Sequence, residues 1–421
     1  MSLPRALLLG ANLSKPSLWS IDDSLNELAE LARTADIEVA GKVYQNREAP
    51  HPKYYLGPGK LDEIFQRLAQ ENITLIITDD ELSPSQNKAM ESFFKIKVID
   101  RTGLILDIFA KHARTHEAQL QVELAQLEYL LPRLTRMWTH LSRLGGGIGT
   151  RGPGEKQLEV DKRQIRTRMS ALKKKLEVVA RTRKTKREKR NLLPVITGAI
   201  VGYTNAGKST LLNALTSAEV LSEDKLFATL DPTTKQLKLA SNDSVLLTDT
   251  VGFIQKLPHQ LVTSFHATLE EVVDAQFLLH VVDVSHPSFP VFIQTSQTLL
   301  KSLHADHVEQ LFVFNKRDKL KSDELESLQE TLAPFKPYVL LSALQPESLP
   351  QLREAIEKVL SKHHKQFKLS IPYNRMEMAH LFHQFGKVLE ESYEEKNLHL
   401  TVDIHKVIGE KLIAQLYEPK T

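Results

Sequence analysis

Residues 193–219 read LPVITGAIVGYTNAGKSTLLNALTSAE, and the order of residue types in this stretch decides the fold around it. An apolar run rich in β-branched residues ends at Gly202. Gly207, Lys208 and Ser209 then complete the spacing G-x-x-x-x-G-K-[ST], and a helical pattern carrying Leu211, Leu212 and Leu215 starts at once. Strand, glycine-bearing loop and helix in that order make a phosphate loop: consecutive backbone N–H groups surround an anion at a helix N-terminus, where the peptide dipoles favour negative charge. The expected nucleotide contacts are therefore Gly202, Tyr203, Thr204, Asn205, Ala206, Gly207, Lys208, Ser209 and Thr210, with Lys208 reaching the β and γ oxygens and Ser209 ligating Mg²⁺.

Three further stretches select the nucleotide. SVLLTDTVGF ends an apolar strand in Asp249-Thr250-Val251-Gly252, where the aspartate faces the Mg²⁺ shell and the Gly252 amide meets the γ-phosphate. LFVFNKRD ends another strand in Asn315, Lys316 and Asp318. A carboxylate at Asp318 accepts two hydrogen bonds from guanine, whereas adenine offers no donor there and would leave it unpaired, so the base is guanine. VLLSAL then brings Ser342, Ala343 and Leu344, where a backbone amide can meet guanine O6. Between the phosphate loop and Asp249 lies LFATLDPTTKQ, the expected γ-phosphate sensor, comprising Phe227, Ala228, Thr229, Leu230 and Asp231. Thr229 is the expected second Mg²⁺-ligating hydroxyl, with Thr233 or Thr234 as fallback. Lys208, Thr229 and Gly252 are the expected catalytic groups for hydrolysis of GTP to GDP and phosphate.

The rest of the chain bounds the setting. No cysteine is present, which excludes disulfides, thiol nucleophiles and cysteine-ligated metals. The pairs His112/His116 and His380/His383 lack a third ligand and read as solvated. No apolar run reaches the roughly 18–20 residues of a membrane span. Net charge is +3, yet residues 151–190 hold sixteen Lys and Arg against five Asp and Glu, a local +11 that leaves −8 elsewhere. Such a footprint is what a chain meeting phosphate carries.

Residues 1–110 alternate apolar runs (ALLLGAN, IEVAGKVY, TLIITDD, KVID) with amphipathic stretches, which implies a small α/β domain with a mainly parallel sheet. Asp79, Asp80 and Glu81 read as a solvated acidic loop. Leu120, Leu124, Leu127, Leu131 and Leu134, then Ile165, Met169, Leu172, Leu176 and Val179, repeat at heptad spacing, so two helices carry matching apolar seams and fold back as a hairpin across 111–191. Pro132 is expected to kink or split the first helix. The hairpin tip, GGGIGTRGPG at 145–154, holds six of the chain's seventeen glycines, far more than a turn needs, next to the basic helix. A loop that a partner fixes at close range, beside an arm that meets double-helical RNA, accounts for both. Residues 192–364 form the nucleotide-binding domain. Residues 365–421 suggest strand, helix, strand, helix: a small α+β domain.

LFATLDPTT, VGYTNAGKSTLLN, DTVGFI and above all GTRGPGEKQLEVDKRQ resemble the motifs of the HflX family, in the Obg-HflX group of GTPases, over essentially the full chain. Many members read GPGETQLE followed by D-R-R; here Lys156 replaces the threonine and Lys162 precedes Arg163. The resemblance implies an α/β multidomain architecture: a P-loop GTPase domain with an N-terminal α/β domain, a helical hairpin linker and a small C-terminal α+β domain. It further implies a GTP-dependent factor that binds the large ribosomal subunit and its rRNA and separates ribosomes into subunits, notably under heat stress. The expected protein is monomeric and cytoplasmic, with peripheral membrane association left open. GYTNAGKS also resembles potassium-activated GTPases, in which an asparagine at the place of Asn205 ligates K⁺; the alternative is that Asn205 only tolerates the turn. Two other readings stay open here. In one, Gly57, Gly59 and Lys60 form a second nucleotide site in a nucleotide-driven RNA remodeller. In the other, a signalling GTPase uses the basic hairpin on protein or anionic lipid.

Overall fold

The apolar run near the start of the chain becomes strand β1 (Arg5–Leu13), in which Ala6 to Leu9 are completely buried. The structure, a computed structural model, describes residues 3–14, 19–134, 153–192, 195–216, 226–227, 229–239, 244–256 and 266–417. It divides into two units: Met1–Val179 with Glu223–Asp231 and Ile254–Ala267, and Ala180–Ser222 with Pro232–Phe253 and Thr268–Thr421.

In the first unit β1 is followed by α1 (Ile21–Thr34), β2 (Glu38–Arg47), α2 (Pro58–Gln70), β3 (Leu75–Thr78), α3 (Pro84–Phe94), β4 (Lys97–Asp100) and α4 (Arg101–His112). All strand pairs are parallel, in the order β2-β1-β3-β4. Local chemistry explains the boundaries. Ser20 caps α1 by accepting from the Asp23 N–H, and α1 buries Leu25, Leu28, Leu31 and Ala32 along one stripe. Ser83 and Gln86 form a reciprocal capping box on α3, with Pro84 at its first position. Each buried leucine contributes roughly 1.5–3 kcal/mol of transfer free energy.

Helix α5 (His116–Leu134) runs through Pro132 to the end of the described segment, so the proline does not split it. Helix α6 (Pro153–Leu192) has 40 residues, about 60 Å of helix. Their seams meet as the heptads imply: Leu120, Leu124 and Leu172 are buried together, and Leu127, Met169, Leu176 and Val179 pack against them. Arg168–Glu123 and Lys173–Glu128 ion pairs flank the seam. Residues 135–152, which include most of the glycine-rich tip, lie outside the described residues.

The second unit is built on β5 (Ile196–Gly202), α7 (Lys208–Thr216), β6 (Thr233–Lys238), β7 (Ser244–Asp249), α8 (His266–Val273), β8 (Phe277–Asp283), α9 (Phe289–Ser302), β9 (Glu309–Asn315), α10 (Ser322–Leu332), β10 (Tyr338–Leu340) and α11 (Leu349–Ser361). The sheet order is β10-β9-β8-β5-β7-β6, with only β6 antiparallel. The chain continues into β11 (His364–Pro372), α12 (Met376–Phe385), β12 (Lys387–Tyr393), β13 (Asn397–His405) and α13 (Lys406–Tyr417). Sequence patterning suggests one strand between the last two helices, but there are two, paired antiparallel. The polar run Glu394-Glu395-Lys396 turns the chain, and the Glu394 N–H donates to the Asn397 carbonyl. One core runs from Ile200 and Phe277 through Leu352 and Ile356 to Ile371 and Leu400, unbroken at residue 364.

Candidate active site

Strand β5 lies in the middle of the sheet and delivers the phosphate loop at its C-terminal end, where ligands of parallel sheets bind. Gly202 and Gly207 adopt φ of +145° and +92°. A Cβ at Gly202 would collide with the Val281 carbonyl, and one at Gly207 with the Asn315 amide, so glycine is required on both counts. Asn205 sits at φ +58°, a left-handed conformation that asparagine tolerates. The Tyr203 ring stacks on Phe292 of α9 at 4.4 Å between centroids and pins the outer side of the loop.

Lys208 opens α7 and is buried. Its Nζ donates to the Gly202 and Tyr203 carbonyls at 3.2 and 2.9 Å, which leaves one of its three protons for a phosphate oxygen. Burial pushes its pKa down to about 8, against the opposing pull of Asp249. Ser209 Oγ donates to Asp249 Oδ2 at 2.6 Å, so two of the groups expected around Mg²⁺ are brought together at the end of β7. A hydroxyl and a carboxylate oxygen are the hard donors Mg²⁺ takes, and the residues fit it. Gly252 rests against the phosphate loop: a Cβ there would come within 2.8 Å of Lys208 Nζ and of the Thr204 Cα. Phe253 follows, buried, its N–H donating to the Gly202 carbonyl and its carbonyl accepting from the Thr204 N–H. The Thr204 hydroxyl is buried and has no hydrogen-bond partner among the described residues, an unmet capacity beside the place of the phosphates.

The segments expected to recognise the base converge on Asn315 at the end of β9. Its Nδ2 donates to the Ala206 carbonyl and its Oδ1 accepts from the Ala343 N–H, both at 2.9 Å, so one buried amide ties the phosphate loop to the Ser342 loop. The Ala343 N–H is thus committed to Asn315. Lys316, at φ +66°, is paired with Asp283 at 2.7 Å, while Asp318 and Leu344 are exposed.

The expected sensor segment is held differently. Ala228 lies outside the described residues. Thr229 is half-buried and Leu230 buried, while Thr233 and Thr234 belong to β6, where the Thr234 and Thr248 hydroxyls hydrogen-bond. Phe227 and Asp231 are packed into the first unit: Phe227 meets Phe109 edge-on at 4.5 Å, and Asp231 accepts from the N–H groups of Arg114 and Thr115.

Three features escaped the sequence reading. His280 on β8 is buried, stacked on Phe312, and pushed down to about 4 by burial, so it is neutral at pH 7. The Asp283–Lys316 pair had no motif to mark it. The third corrects an expectation: Asp79 is completely buried and bound to Arg101 and Lys256, not solvated. At the turn weighed as a second nucleotide site, the Gly57 N–H donates to Gln45 Oε1 and Lys60 pairs with Glu63, so both phosphate-seeking groups have protein partners.

Family models agree with the motifs. One described as GTP-binding GTPase N-terminal matches residues 22–110, one described as GTP-binding GTPase Middle Region matches 112–190, and one described as 50S ribosome-binding GTPase matches 197–316. GTPase HflX of Caldanaerobacter subterraneus subsp. tengcongensis is 46% identical over 410 residues, 97% of this chain and 92% of that protein. GTPase HflX of Escherichia coli (strain K12) is 43% identical over 374 residues, 89% of this chain and 87% of that one. Among solved structures, a GTP-binding protein from the hyperthermophilic archaeon Sulfolobus solfataricus in complex with GDP is 27% identical, with a TM-score of 0.44, and covers 85% of this chain and 98% of that one. No described helix is long and apolar enough to cross a membrane. Sharing 46% and 43% identity with two HflX GTPases over most of both lengths, and carrying the phosphate-loop motif, the chain belongs to the HflX family of GTPases.

Proposed function

We propose that this GTPase binds the rRNA of the large ribosomal subunit and, in its GTP form, separates ribosomes into subunits. The observation that carries the reading is α6, a 40-residue helix on which Arg163, Arg166, Lys174, Lys175 and Arg181 are all exposed. Exposed positive charge at that density suits a phosphate backbone. The match to a model described as 50S ribosome-binding GTPase supports the choice of ribosome over other RNA. The protein then works as a cytoplasmic monomer that exchanges GDP for GTP.

In hydrolysis Lys208 supplies positive charge to the β and γ oxygens, the Gly252 amide meets the γ-phosphate, and Asp318 holds the guanine edge. Ser209, Thr229 and Asp249 would hold Mg²⁺, which neutralises charge developing on the phosphates. The residue after Gly252 is Phe253, whose buried side chain can neither donate nor accept a hydrogen bond to water. Free turnover is therefore slow, and ribosome docking completes the site, with a stimulation of about a hundredfold or more, about 2.7 kcal/mol of barrier. Asn205 would ligate K⁺ beside the phosphates, as a second source of positive charge.

The test is a sucrose gradient of ribosomes with purified protein and a non-hydrolysable GTP analogue. The expected result is conversion of ribosomes to subunits with the protein on the large one; intact ribosomes would overturn the reading. Replacing Lys173, Lys174, Lys175, Arg181 and Arg183 should weaken ribosome binding and flatten its salt dependence by about 0.7–0.9 in log–log slope per lost phosphate contact.

A further inference from the structure

The first unit holds a buried charge cluster that no part of GTP binding uses. Arg101, the first residue of α4, is 1% exposed; its Nη2 donates to Asp79 Oδ1 at 2.6 Å and to the Ser24 carbonyl at 2.8 Å, and its Nη1 donates to Glu27 Oε1 at 2.5 Å. Asp79, fully buried, also accepts from Ser24 Oγ at 2.7 Å. Into this cluster comes Lys256, four residues after Gly252. Its Nζ lies 2.5 Å from Asp79 Oδ2 and 2.5 Å from Asp80 Oδ1, and Arg101 Nη1 reaches the carbonyl of its neighbour Gln255. Burial raises the Asp79 pKa and the Arg101 and Lys256 charges outweigh it, so the carboxyl stays ionised below the usual carboxylate range.

Leu226, Phe227 and Asp231 are anchored on the end of α1, on α4 and on the turn after α4. Phe227 packs on Phe109 of α4, and the Leu226 N–H donates to Thr34 Oγ1. Asp231 takes the N–H groups of Arg114 and Thr115 and the Thr115 hydroxyl, at the start of α5. In each segment one non-glycine residue is held left-handed, Phe227 at φ +58° and Lys256 at φ +53°. Such a backbone is strained and persists only where surrounding contacts impose it.

We infer that Lys256 and Asp231 are positioning residues that hold the two segments expected to sense the γ-phosphate, the first on the acidic turn after β3 and the second on the turn after α4, and so set the relative affinity of this GTPase for GDP and GTP. A γ-phosphate draws on Thr229 and Gly252, each within a few residues of a strained anchor. Recruiting them competes with the anchors, so whatever stabilises the docked arrangement weakens GTP relative to GDP, and GTP in turn loosens the docking by the same factor. This rests on the chain being a GTPase and not on ribosome docking, so it can fail while ribosome separation stands, and the reverse.

The experiment titrates the full-length protein, without ribosomes, with fluorescent GDP and a fluorescent non-hydrolysable GTP analogue. Lys256→Met and Thr115→Val are each expected to raise the GTP-analogue-to-GDP affinity ratio at least threefold, while Lys256→Arg keeps it within about 1.5-fold of wild type. A change that merely weakened the fold would lower both affinities together and leave the ratio in place. A ratio unmoved or lowered in Lys256→Met and Thr115→Val overturns the inference. Should Lys256→Met not fold, Thr115→Val, whose hydroxyl is exposed, decides it alone.

Discussion

Lys208 in the phosphate loop and Arg101 at the start of α4 are both buried cations, and their surroundings answer them in opposite ways. Lys208 meets two carbonyl dipoles, and the nearest carboxylate, Asp249, is engaged by Ser209. Desolvation wins, and its pKa falls to about 8. Arg101 meets Asp79 and Glu27 directly; their charges outweigh the same desolvation and its pKa rises. The first site is electrostatically incomplete and gains by admitting an anion, while the second is complete and can only lose when a member is removed. A buried charge by itself thus says little; what marks a ligand site is a charge whose compensation the protein leaves unfinished.

The largest expected effect breaks the complete site. Asp79→Asn leaves Arg101 buried with half its compensation and should destabilise the first unit by about 3–5 kcal/mol, read by chemical denaturation. Adding Arg101→Met should recover part of that loss, and a double variant no better than the single would show the pair to be uncoupled. The Asp79 pKa is depressed, so its contribution is present above about pH 3.9 and is lost as pH falls through the folded value. Denaturation midpoints should therefore show no pH dependence from this group between pH 5 and 9, where its contribution is fully present.

Next in size is the incomplete site. Lys208→Ala should lower GTP turnover about 10²–10³-fold, or about 2.7–4 kcal/mol, while the melting temperature holds or rises because an uncompensated buried charge is gone. A smaller effect sharpens the contrast through pH. The folded-state pKa of Lys208 is lowered to about 8, so the free protein sheds this proton above pH 8, whereas bound phosphate needs the charge. GDP affinity should fall about tenfold from pH 7 to pH 9, with Lys208→Ala showing no such fall. Smallest is the monovalent cation: exchanging K⁺ for Na⁺ at constant ionic strength should slow hydrolysis a few-fold in wild type and not in Asn205→Ala. A wild-type rate indifferent to the cation removes K⁺ from the site.

The phosphate loop was legible because its chemistry is local: Gly202 to Ser209 form one turn, and Gly202 and Gly207 supply the positive φ it needs. The same holds for the four parallel strands of the first unit and for the seams on α5 and α6, where a repeat of seven carries the contact. The β12–β13 hairpin was missed because its turn uses Glu394, Glu395 and Lys396 rather than glycine or proline, and so resembles a solvated stretch.

The sequence by itself determined the nucleotide, the order of the motifs and the basic arm, since these depend on residue type and short spacing. Only the tertiary structure decided what Asp79, Arg101, Phe227, Asp231 and Lys256 do. Asp79 and Lys256 stand 177 positions apart in the chain. An aspartate after a strand reads as solvated until folding places a guanidinium against it, and a strained backbone at Lys256 is visible only once the contacts that hold it exist. Side-chain chemistry states what a residue is able to bind; the partner it finds is set by how the distant parts of the chain pack.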